Sequence, residues 1–419
     1  MSFSSFSFKH VFIKILLSVF LFLIILILFK TGLLKNYIVG GPSENYFIDL
    51  ELYIRWWECH EIVNFDEACK NFVVDYGKLF LLVPFSPSLK LFYINYLPYI
   101  IILLFVFAVT FLLNPKKKSD YLIVILTILN STSLVLIERL NFDIIIFLAL
   151  IIIALNRIYI LNWFLFFYCF SIKLFPIVSG IFLLLENKKR STKFLLLLII
   201  IFGIITSYFL YIGYFPISDF TRSGAKSGYW HLFSLNTLPK IFKYYGVNYI
   251  FSLALIYSLF FYLIYKLING NKISEIFKNQ DFFSNNWKLF LIGGNILLVC
   301  FVFYSNPSHR EVYLILLVPQ LLYFKSQETK IANLIFYLLI FRYLFLFAYG
   351  PANVPIESTY YLVDGKRIFS NIFLLATFVK GLFDFTFFVL IGAIVLKANF
   401  LIFRDFFCNL KSLKFKKIN

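Results

Sequence analysis

Acidic and aromatic side chains alternate between residues 47 and 57. On a helix, Asp49, Tyr53 and Trp56 would share one side, whereas Glu51 would point roughly 200° away from Asp49. The other side would carry an apolar stripe typical of a helix in a membrane interface, made of Phe47, Leu50, Ile54 and Trp57. Asp49 could then act as a base beside rings that stack on a sugar. The alternative is a solvated charge on an interfacial helix.

Three further polar clusters interrupt apolar stretches. They lie at residues 138–143, 173–176 and 306–313, and their candidate site residues are Glu138, Arg139, Asn141, Lys173, His309 and Arg310. Ionisable side chains at membrane depth are costly, so they usually face a cavity or pair with one another, as Glu138 could with Arg139 or Lys173. Together with Asp49, the cations suit a phosphorylated lipid, because they would neutralise its phosphate while the carboxylate accepts a proton.

The composition places most of the chain in lipid. Of its 419 residues, 61% are hydrophobic and 14% are charged, against about 45–50% and about 25% in soluble domains. These fractions exclude a soluble enzyme, a disordered protein and a secreted disulfide scaffold. The net charge of +18 would suit nucleic acid, but Lys- and Arg-rich cytosolic loops of a membrane protein explain it, so no nucleic-acid partner is predicted.

Apolar stretches near the length that crosses a bilayer, about 20 residues, recur along the whole chain. The predicted membrane segments, about twelve, are 11–29, 91–113, 121–137, 142–155, 158–172, 174–185, 194–214, 247–267, 289–304, 311–324, 331–349 and 376–397. Segments 158–172 and 174–185, around Lys173 and Pro176, are too short to cross upright, which predicts a broken or re-entrant pair. We therefore predict an all-α polytopic protein, one integral-membrane domain over 1–419, with interfacial helices in a first external loop at 30–90.

The distribution of charge predicts the orientation in the membrane. Segment 11–29 has Lys9 before it and Lys14 near its start, and no cleavage site follows it, so we expect an uncleaved anchor with a cytosolic N-terminus. Alternating sides place the loops 114–120, 156–157, 186–193, 268–288 and 325–330 and the C-terminal tail in the cytosol, with roughly 22 Lys and Arg against about 6 acids. Asp49 and the polar clusters then face the other side, which predicts a multi-pass inner-membrane protein with a periplasmic or external site.

The cysteines and histidines give no metal-binding pattern. Cys59 and Cys69 lie in the first external loop and could pair in an oxidising compartment. Cys169, Cys300 and Cys408 are expected to be buried or cytosolic thiols. With four histidines and no Cys/His spacing of the zinc type, no metal ligands are predicted.

These polar clusters resemble short motifs of the GT-C superfamily of integral-membrane glycosyltransferases. Within it, the chain is most similar to glycosyltransferase family eighty-seven, the polyprenol-phosphate-mannose-dependent type. Residues 138–141 resemble its Glu-Arg-Gly-Asn/Gln element, with Leu140 in place of glycine. Residues 173–176 resemble its Lys-Pro-Tyr-Pro element, with Leu174 in place of proline, and residues 308–313 with Pro319 resemble its late external histidine segment.

The resemblance implies an inverting transfer of a hexose, mannose first, from a polyprenyl-phosphate donor to a lipid- or glycan-linked acceptor. Asp49 takes the place of the superfamily's catalytic base, and His309 would orient the acceptor or contact the phosphate. The cations Arg139, Lys173 and Arg310 would hold the phosphate. The remaining substrate-binding candidates are Glu51, Tyr53, Trp56, Glu138 and Asn141. No cofactor is firmly implied, and the use of a divalent metal stays open.

Three other function classes remain as alternatives. A lipid-linked polysaccharide polymerase or ligase would carry a large Arg-rich external loop between later spans, whereas here the long loop comes first. A lipid-linked sugar flippase or transporter would need charged residues spread through the bilayer midplane, and the sequence concentrates its charge at one side. A non-catalytic scaffold is the third alternative.

Overall fold

The fold was analysed in a computed structural model of the chain. It describes residues 8–33, 46–61, 87–173, 175–185, 201–206, 208, 234–277, 281–282, 284–303, 308–327, 329–348, 360–363, 366–369 and 371–415.

Helices make up nearly all of the described structure. The α-helices are α1 (Phe8–Lys30), α2 (Ile48–Glu61), α3 (Pro87–Asn95), α4 (Leu97–Leu113), α5 (Lys118–Leu129), α6 (Ser131–Arg139), α7 (Asp143–Leu155), α8 (Tyr159–Ile172), α9 (Ile177–Leu185), α10 (Thr237–Tyr244), α11 (Tyr249–Ile268), α12 (Asn271–Ile276), α13 (Asn285–Phe303), α14 (Val318–Ser326), α15 (Lys330–Ala348) and α16 (Asn371–Phe415). A 3₁₀ helix spans Ser308–Leu317, between α13 and α14.

An antiparallel hairpin joins α15 to α16. Its strands are β1 (Tyr360–Val363) and β2 (Lys366–Phe369), and Tyr360 lies opposite Phe369. The all-α prediction did not include these strands, because the segment has no alternating apolar pattern long enough to indicate one. Elsewhere in the described ranges the regular elements are helical.

Several helices are suited to a lipid environment. Among the described residues, four helices are long and apolar enough to cross a membrane: α1, α11, α13 and the Leu374–Arg404 part of α16. The count rises to six if each of two bent pairs, α3 with α4 and α5 with α6, forms one span; each pair bends by 47°. The chain is therefore a helical membrane protein. The prediction of about twelve spans is not tested by these lengths, and most of segment 194–214 lies outside the described residues.

The short pair of predicted segments forms two helices that pack on each other. α8 ends at Ile172, and Lys173 is extended, with φ −138° and ψ 143°. α9 begins at Ile177, after Pro176, which cannot donate a backbone hydrogen bond. Gly180 allows the close contact, since a Cβ there would lie 2.5 Å from the ring of Phe166. At 1.5 Å per residue, α8 is roughly 21 Å long and α9 roughly 14 Å, shorter than a bilayer core of about 30 Å.

Helix α13 lies at the centre of the bundle, and most of its side chains are buried. Two glycines bring its neighbours close. A Cβ on Gly293 would lie 2.7 Å from Leu316 in the 3₁₀ helix, and one on Gly294 would lie 2.5 Å from Val395 in α16. Because these two positions have no side chain, the 3₁₀ helix can pack closely against α13 at Gly293, and α16 can do so at Gly294.

Helix α4 separates two chemically different ends of the bundle. Near its start, the ring of Tyr99 contacts Phe47, one residue before α2. Near its end, Phe111 lies under the ammonium of Lys14, and Asn114 bonds to His10. Twelve residues separate Tyr99 from Phe111, roughly 18 Å along the axis. The helix that carries Asp49 and the basic start of α1 therefore lie at opposite ends.

Candidate functional site

The first external loop and the 138–143 cluster meet through Asp49 and Asn141. The side-chain amide nitrogen of Asn141 donates a 2.6 Å hydrogen bond to Oδ2 of Asp49, although 92 residues separate the two in the chain. Asp49 lies in the first turn of α2, where the partial positive charge of a helix N-terminus favours a carboxylate. Its side chain is only partly buried, so the carboxylate is fixed in place and still accessible.

The other end of the Asn141 amide is held as well. Its oxygen accepts hydrogen bonds from the ammonium of Lys173, at 3.0 Å, and from the backbone N–H of Asp143, at 3.1 Å. Two donors at the oxygen leave the nitrogen to face Asp49. Asn141 is therefore oriented in one direction, with its donor toward the carboxylate.

Lys173 is held by a buried ion pair. Its ammonium lies 3.0 Å from Oδ1 of Asp143, and the same oxygen accepts a 3.1 Å hydrogen bond from the hydroxyl of Tyr313. Asp143 is 0% exposed and Lys173 is 4% exposed. A pair this deeply buried persists only because each charge compensates the other. We call Asp49, Asn141, Lys173, Asp143 and Tyr313 the central network.

A helix-ending turn places Asn141 in the central network. Leu140 is left-handed, with φ 49° and ψ 49°. The N–H of Leu140 bonds to the carbonyl of Ile137 at 3.2 Å, and that of Asn141 to the carbonyl of Leu136 at 3.3 Å, which is a Schellman motif. Glycine is the residue that adopts this conformation without strain. Leu140 therefore occupies a left-handed position at which glycine would be unstrained.

The strain at Leu140 predicts an inverted order of stability for two substitutions. Both Leu140→Gly and Leu140→Ala remove the buried side chain, but only glycine relieves the left-handed backbone. We expect the glycine variant to be more stable than the alanine variant by about 1 kcal/mol. In an ordinary helix interior alanine is the more stable by about 1 kcal/mol. Unfolding curves of the two purified variants in one detergent test this, and an alanine variant of equal or greater stability would contradict it.

Helix α2 is attached to the α6–α7 turn on both sides of Asp49. On one side, the N–H of Phe47 donates a 2.7 Å hydrogen bond to the carbonyl of Glu138, with Phe47 itself left-handed at φ 65°. On the other side, the hydroxyl of Tyr53 accepts a bond from the N–H of Phe142 at 3.4 Å, and the two rings meet edge to face with centroids 5.0 Å apart. These two contacts hold the carboxylate of Asp49 against Asn141.

The two predicted sugar-stacking residues pack inside the bundle. Tyr53 and Trp56 are both buried, as are Leu50, Ile54 and Trp57 on the apolar side of α2. Tyr53 packs on Phe142, and Trp56 packs on Tyr53 with centroids 5.7 Å apart. In this conformation these rings anchor α2 to the bundle.

The acids and the arginine around α2 and α6 differ in exposure. Glu138 is buried, whereas Glu51 and Arg139 are partly buried. Burial, and secondarily the carboxylate of Glu138, raises the pKa of Tyr46 above its ordinary value. Tyr46 therefore stays protonated and donates a 3.0 Å hydrogen bond to the carbonyl of Phe29. This bond ties the start of α2 to the end of α1.

The late polar cluster reaches the same region. Arg310 is buried, and its guanidinium carbon lies 5.2 Å from the ring centre of Phe175. The ring of Phe175 also contacts that of Tyr313, with centroids 5.4 Å apart. Segments 173–176 and 308–313 therefore come together. The backbone of His309 belongs to the 3₁₀ helix, and its side chain lies outside what the structure describes.

A second group of buried charges was not predicted from the sequence. Arg342 lies 2.8 Å from Glu311 and 3.0 Å from Asp384, and Lys380 lies 2.7 Å from Asp384 and 3.5 Å from Glu311. We call these four residues the charge cluster; all are buried. The signal was present, since Arg342, Lys380 and Asp384 interrupt predicted spans, where charged residues usually have a function.

The cysteine predictions are tested only in part. Cys169 and Cys300 are free and buried, as expected. The possible Cys59–Cys69 pair and the side chain of Cys408 lie outside the described structure. The described residues contain no group of three or more His, Cys, Asp or Glu that could hold a metal ion.

Comparisons with protein-family models, with curated proteins and with solved structures gave no match to this chain. In the central network, Asp49 presents a fixed, partly accessible carboxylate at one end of the helical bundle. The charges of Lys173 and Asp143 are buried and paired with each other. This arrangement can accept a proton from a substrate hydroxyl.

Proposed function

We propose that the protein is an inverting glycosyltransferase of the GT-C type that uses a polyprenyl-phosphate hexose, with mannose as the first candidate. It would act in the inner membrane of a cell, with about twelve spans, cytosolic termini and its site on the external or periplasmic face. The acceptor would be a lipid-linked sugar or a glycan. The observation that carries the proposal is the 2.6 Å hydrogen bond that fixes Asp49 at the end of the bundle away from the basic start of α1.

In the proposed reaction, Asp49 removes the proton from an acceptor hydroxyl. The hydroxyl oxygen forms a bond to C1 of the donor sugar while the bond from C1 to the phosphate oxygen breaks. The polyprenyl phosphate leaves with the electron pair, and attack from the opposite face inverts C1. Asn141 would act by holding the carboxylate in position, since its amide touches one carboxylate oxygen and leaves the other for the acceptor.

The departing phosphate needs cations, and the structure favours some candidates over others. Lys173 is already neutralised by Asp143, so its contribution in this conformation is to orient Asn141. Arg310 lies beside the network at Phe175, and Arg139 is partly buried two residues before Asn141. We assign the phosphate contacts first to Arg310 and Arg139, with Lys173 entering only if its pair opens. Preorganised charge of this kind is often the largest catalytic term.

A donor panel tests the proposed function. Purified protein in detergent would be given radiolabelled polyprenyl-phosphate mannose, glucose or arabinose with a membrane glycolipid extract as acceptor, with and without EDTA. We expect transfer from one of these donors and inversion at C1. Equal inactivity with all three, in protein that is folded by its thermal unfolding, would refute the proposal. The EDTA arm decides the use of a divalent metal.

Replacing Arg310 tests the phosphate contact. Arg310→Ala should raise the KM for the donor about 10–100-fold, because a hydrogen bond to a charged group is worth about 1.5–3 kcal/mol. The matched control is Arg55→Ala, which removes an exposed arginine from α2. The measurement is initial rate against donor concentration. An unchanged KM in the Arg310 variant would remove this residue from the donor site.

The charge cluster favours a second candidate function, a lipid-linked sugar flippase or transporter. Arg342, Lys380 and Asp384 lie within long apolar helices, the placement that such a protein requires. Reconstituted vesicles distinguish the two functions. Movement of a fluorescent polyprenyl-phosphate sugar between leaflets, without transfer to an acceptor, would support the transporter.

A further inference from the structure

The charge cluster connects three separate elements. Glu311 belongs to the 3₁₀ helix, Arg342 to α15, and Lys380 and Asp384 to α16. Two positive and two negative charges balance, and each ion pair crosses between elements except the pair from Lys380 to Asp384 within α16. Glu311 is thus the only member of the cluster on the segment that also carries Arg310 and Tyr313.

The winding of Ser308–Leu317 sets the directions in which Arg310, Glu311 and Tyr313 point. A 3₁₀ helix has three residues per turn, so side chains at i and i+3 are aligned. Arg310 and Tyr313 therefore lie in one column, and both contact Phe175. In an α-helix Tyr313 would be rotated by about 60° from Arg310. Glu311 lies about 120° from that column, facing α15 and α16.

This winding needs external support. Runs of 3₁₀ helix longer than three or four residues are uncommon because their hydrogen bonds are poorly aligned, and this one has ten residues. Its contacts include three that could support this winding: Gly293 allows its backbone to approach α13, Tyr313 bonds to Asp143, and Glu311 pairs with Arg342. Of these contacts, only the ion pairs of Glu311 connect the 3₁₀ helix to charged side chains of α15 and α16.

We infer that Glu311 is a positioning residue. Through its 2.8 Å ion pair with Arg342, Glu311 fixes the 3₁₀ winding of residues 308–317, so that Arg310 and Tyr313 face Phe175 and the central network. Its importance for catalysis rests on the proposed function, whereas its control of the 3₁₀ segment does not. Helices α15 and α16, which carry no recognised motif, thereby act on the site at a distance.

Two charge-neutral double variants test the inference on the full chain. Glu311→Gln with Arg342→Gln removes the anchor of the 3₁₀ helix and leaves the pair of Lys380 and Asp384. Lys380→Gln with Asp384→Asn is the matched control, because it removes the same number of buried charges and leaves Glu311 paired with Arg342 at 2.8 Å. Both avoid the single unpaired buried charge that would unfold the protein.

Hydrogen–deuterium exchange of the detergent-purified variants gives the structural readout. The first variant should exchange the backbone amides of 308–317 faster by about 10-fold or more, with little change in α13. The control should change the same amides by about twofold or less. Equal effects of the two variants on 308–317, or an increase spread evenly over α13 and α15, would overturn the inference.

Kinetics with the labelled donor found in the panel gives the catalytic readout. In the first variant kcat should fall by about 100-fold, since a displacement of 1 Å can have an effect on the order of 10²-fold. The control should retain most of its turnover. Glu311→Asp in the otherwise unchanged chain keeps the charge but shortens the side chain. We expect this variant to have nearly the exchange pattern of the unchanged protein and a lower kcat. Unchanged kcat with altered exchange would overturn the positioning role. Inactivity of the unchanged protein would instead refute the proposed function and leave the exchange comparison decisive.

Discussion

Replacing Asp49 with asparagine is expected to reduce sugar transfer by about 10²–10⁴-fold, the usual effect of losing a general base. The change is nearly isosteric, and an amide oxygen at this position can still accept the hydrogen bond from Asn141. The contacts of Phe47 and Tyr53 that hold α2 do not involve the carboxylate. Folding and donor binding should therefore persist while the chemical step fails.

The control for Asp49→Asn is Glu58→Gln, which removes another acid from the same helix. Glu58 pairs with Lys90 at 2.6 Å near the surface, and such pairs contribute about 0–1 kcal/mol. Single-turnover transfer and donor binding should be measured on all three proteins. Full activity of the Asp49 variant would remove the proposed base, and equal losses in both variants would point to damage of α2 instead.

The second large effect is expected at the buried pair of Lys173 and Asp143. Lys173→Met leaves the carboxylate of Asp143 buried without its ammonium, which should destabilise the protein by about 3–5 kcal/mol. Adding Asp143→Asn removes that charge while keeping an oxygen for the hydroxyl of Tyr313. The double variant should recover most of the stability.

Catalysis should not recover in the Lys173→Met, Asp143→Asn protein. Asn141 loses the ammonium that holds its oxygen, so its amide no longer keeps the carboxylate of Asp49 in one position. We expect kcat to remain about 10–100-fold below that of the unchanged protein. Thermal unfolding and turnover, measured on the single and double variants, separate the two effects. A double variant as active as the parent would show that the central network does not position Asp49.

Much of the helical framework followed from apolar runs and charge. The predicted segments 11–29, 247–267 and 331–349 match α1, α11 and α15 closely, because a lipid-facing helix must be apolar along its whole length. The same reasoning placed Asp49, Asn141 and Lys173 at one face, and the structure joins all three in the central network.

The pairing inside the site did not follow from the sequence. The sequence suggested Arg139 or Lys173 as possible partners of Glu138, whereas it gave no indication that Asp143, beyond the left-handed turn at Leu140, pairs with the ammonium of Lys173. Such a turn depends on one residue in an unexpected conformation, which periodicity does not reveal. The burial of Tyr53 and Trp56 depends on what packs above α2, which is a tertiary effect.

The 3₁₀ winding and the pairing within the charge cluster also did not follow from the sequence. Residues 312–318 are apolar throughout, so an α-helix and a 3₁₀ helix give the same pattern. The partners of Glu311 lie at positions 342, 380 and 384, and only the folded bundle shows that they meet.

The opposite chemistry of the two ends of α4 has a consequence for work on intact cells. Where α3 and α4 form a span, a membrane-impermeant reagent added outside reaches only one of the ends. A cysteine introduced at Arg55, exposed on α2, and one at Lys116, exposed beyond α4, should then never be modified from the same compartment. The orientation of α4 in the membrane can therefore be determined by labelling two introduced cysteines.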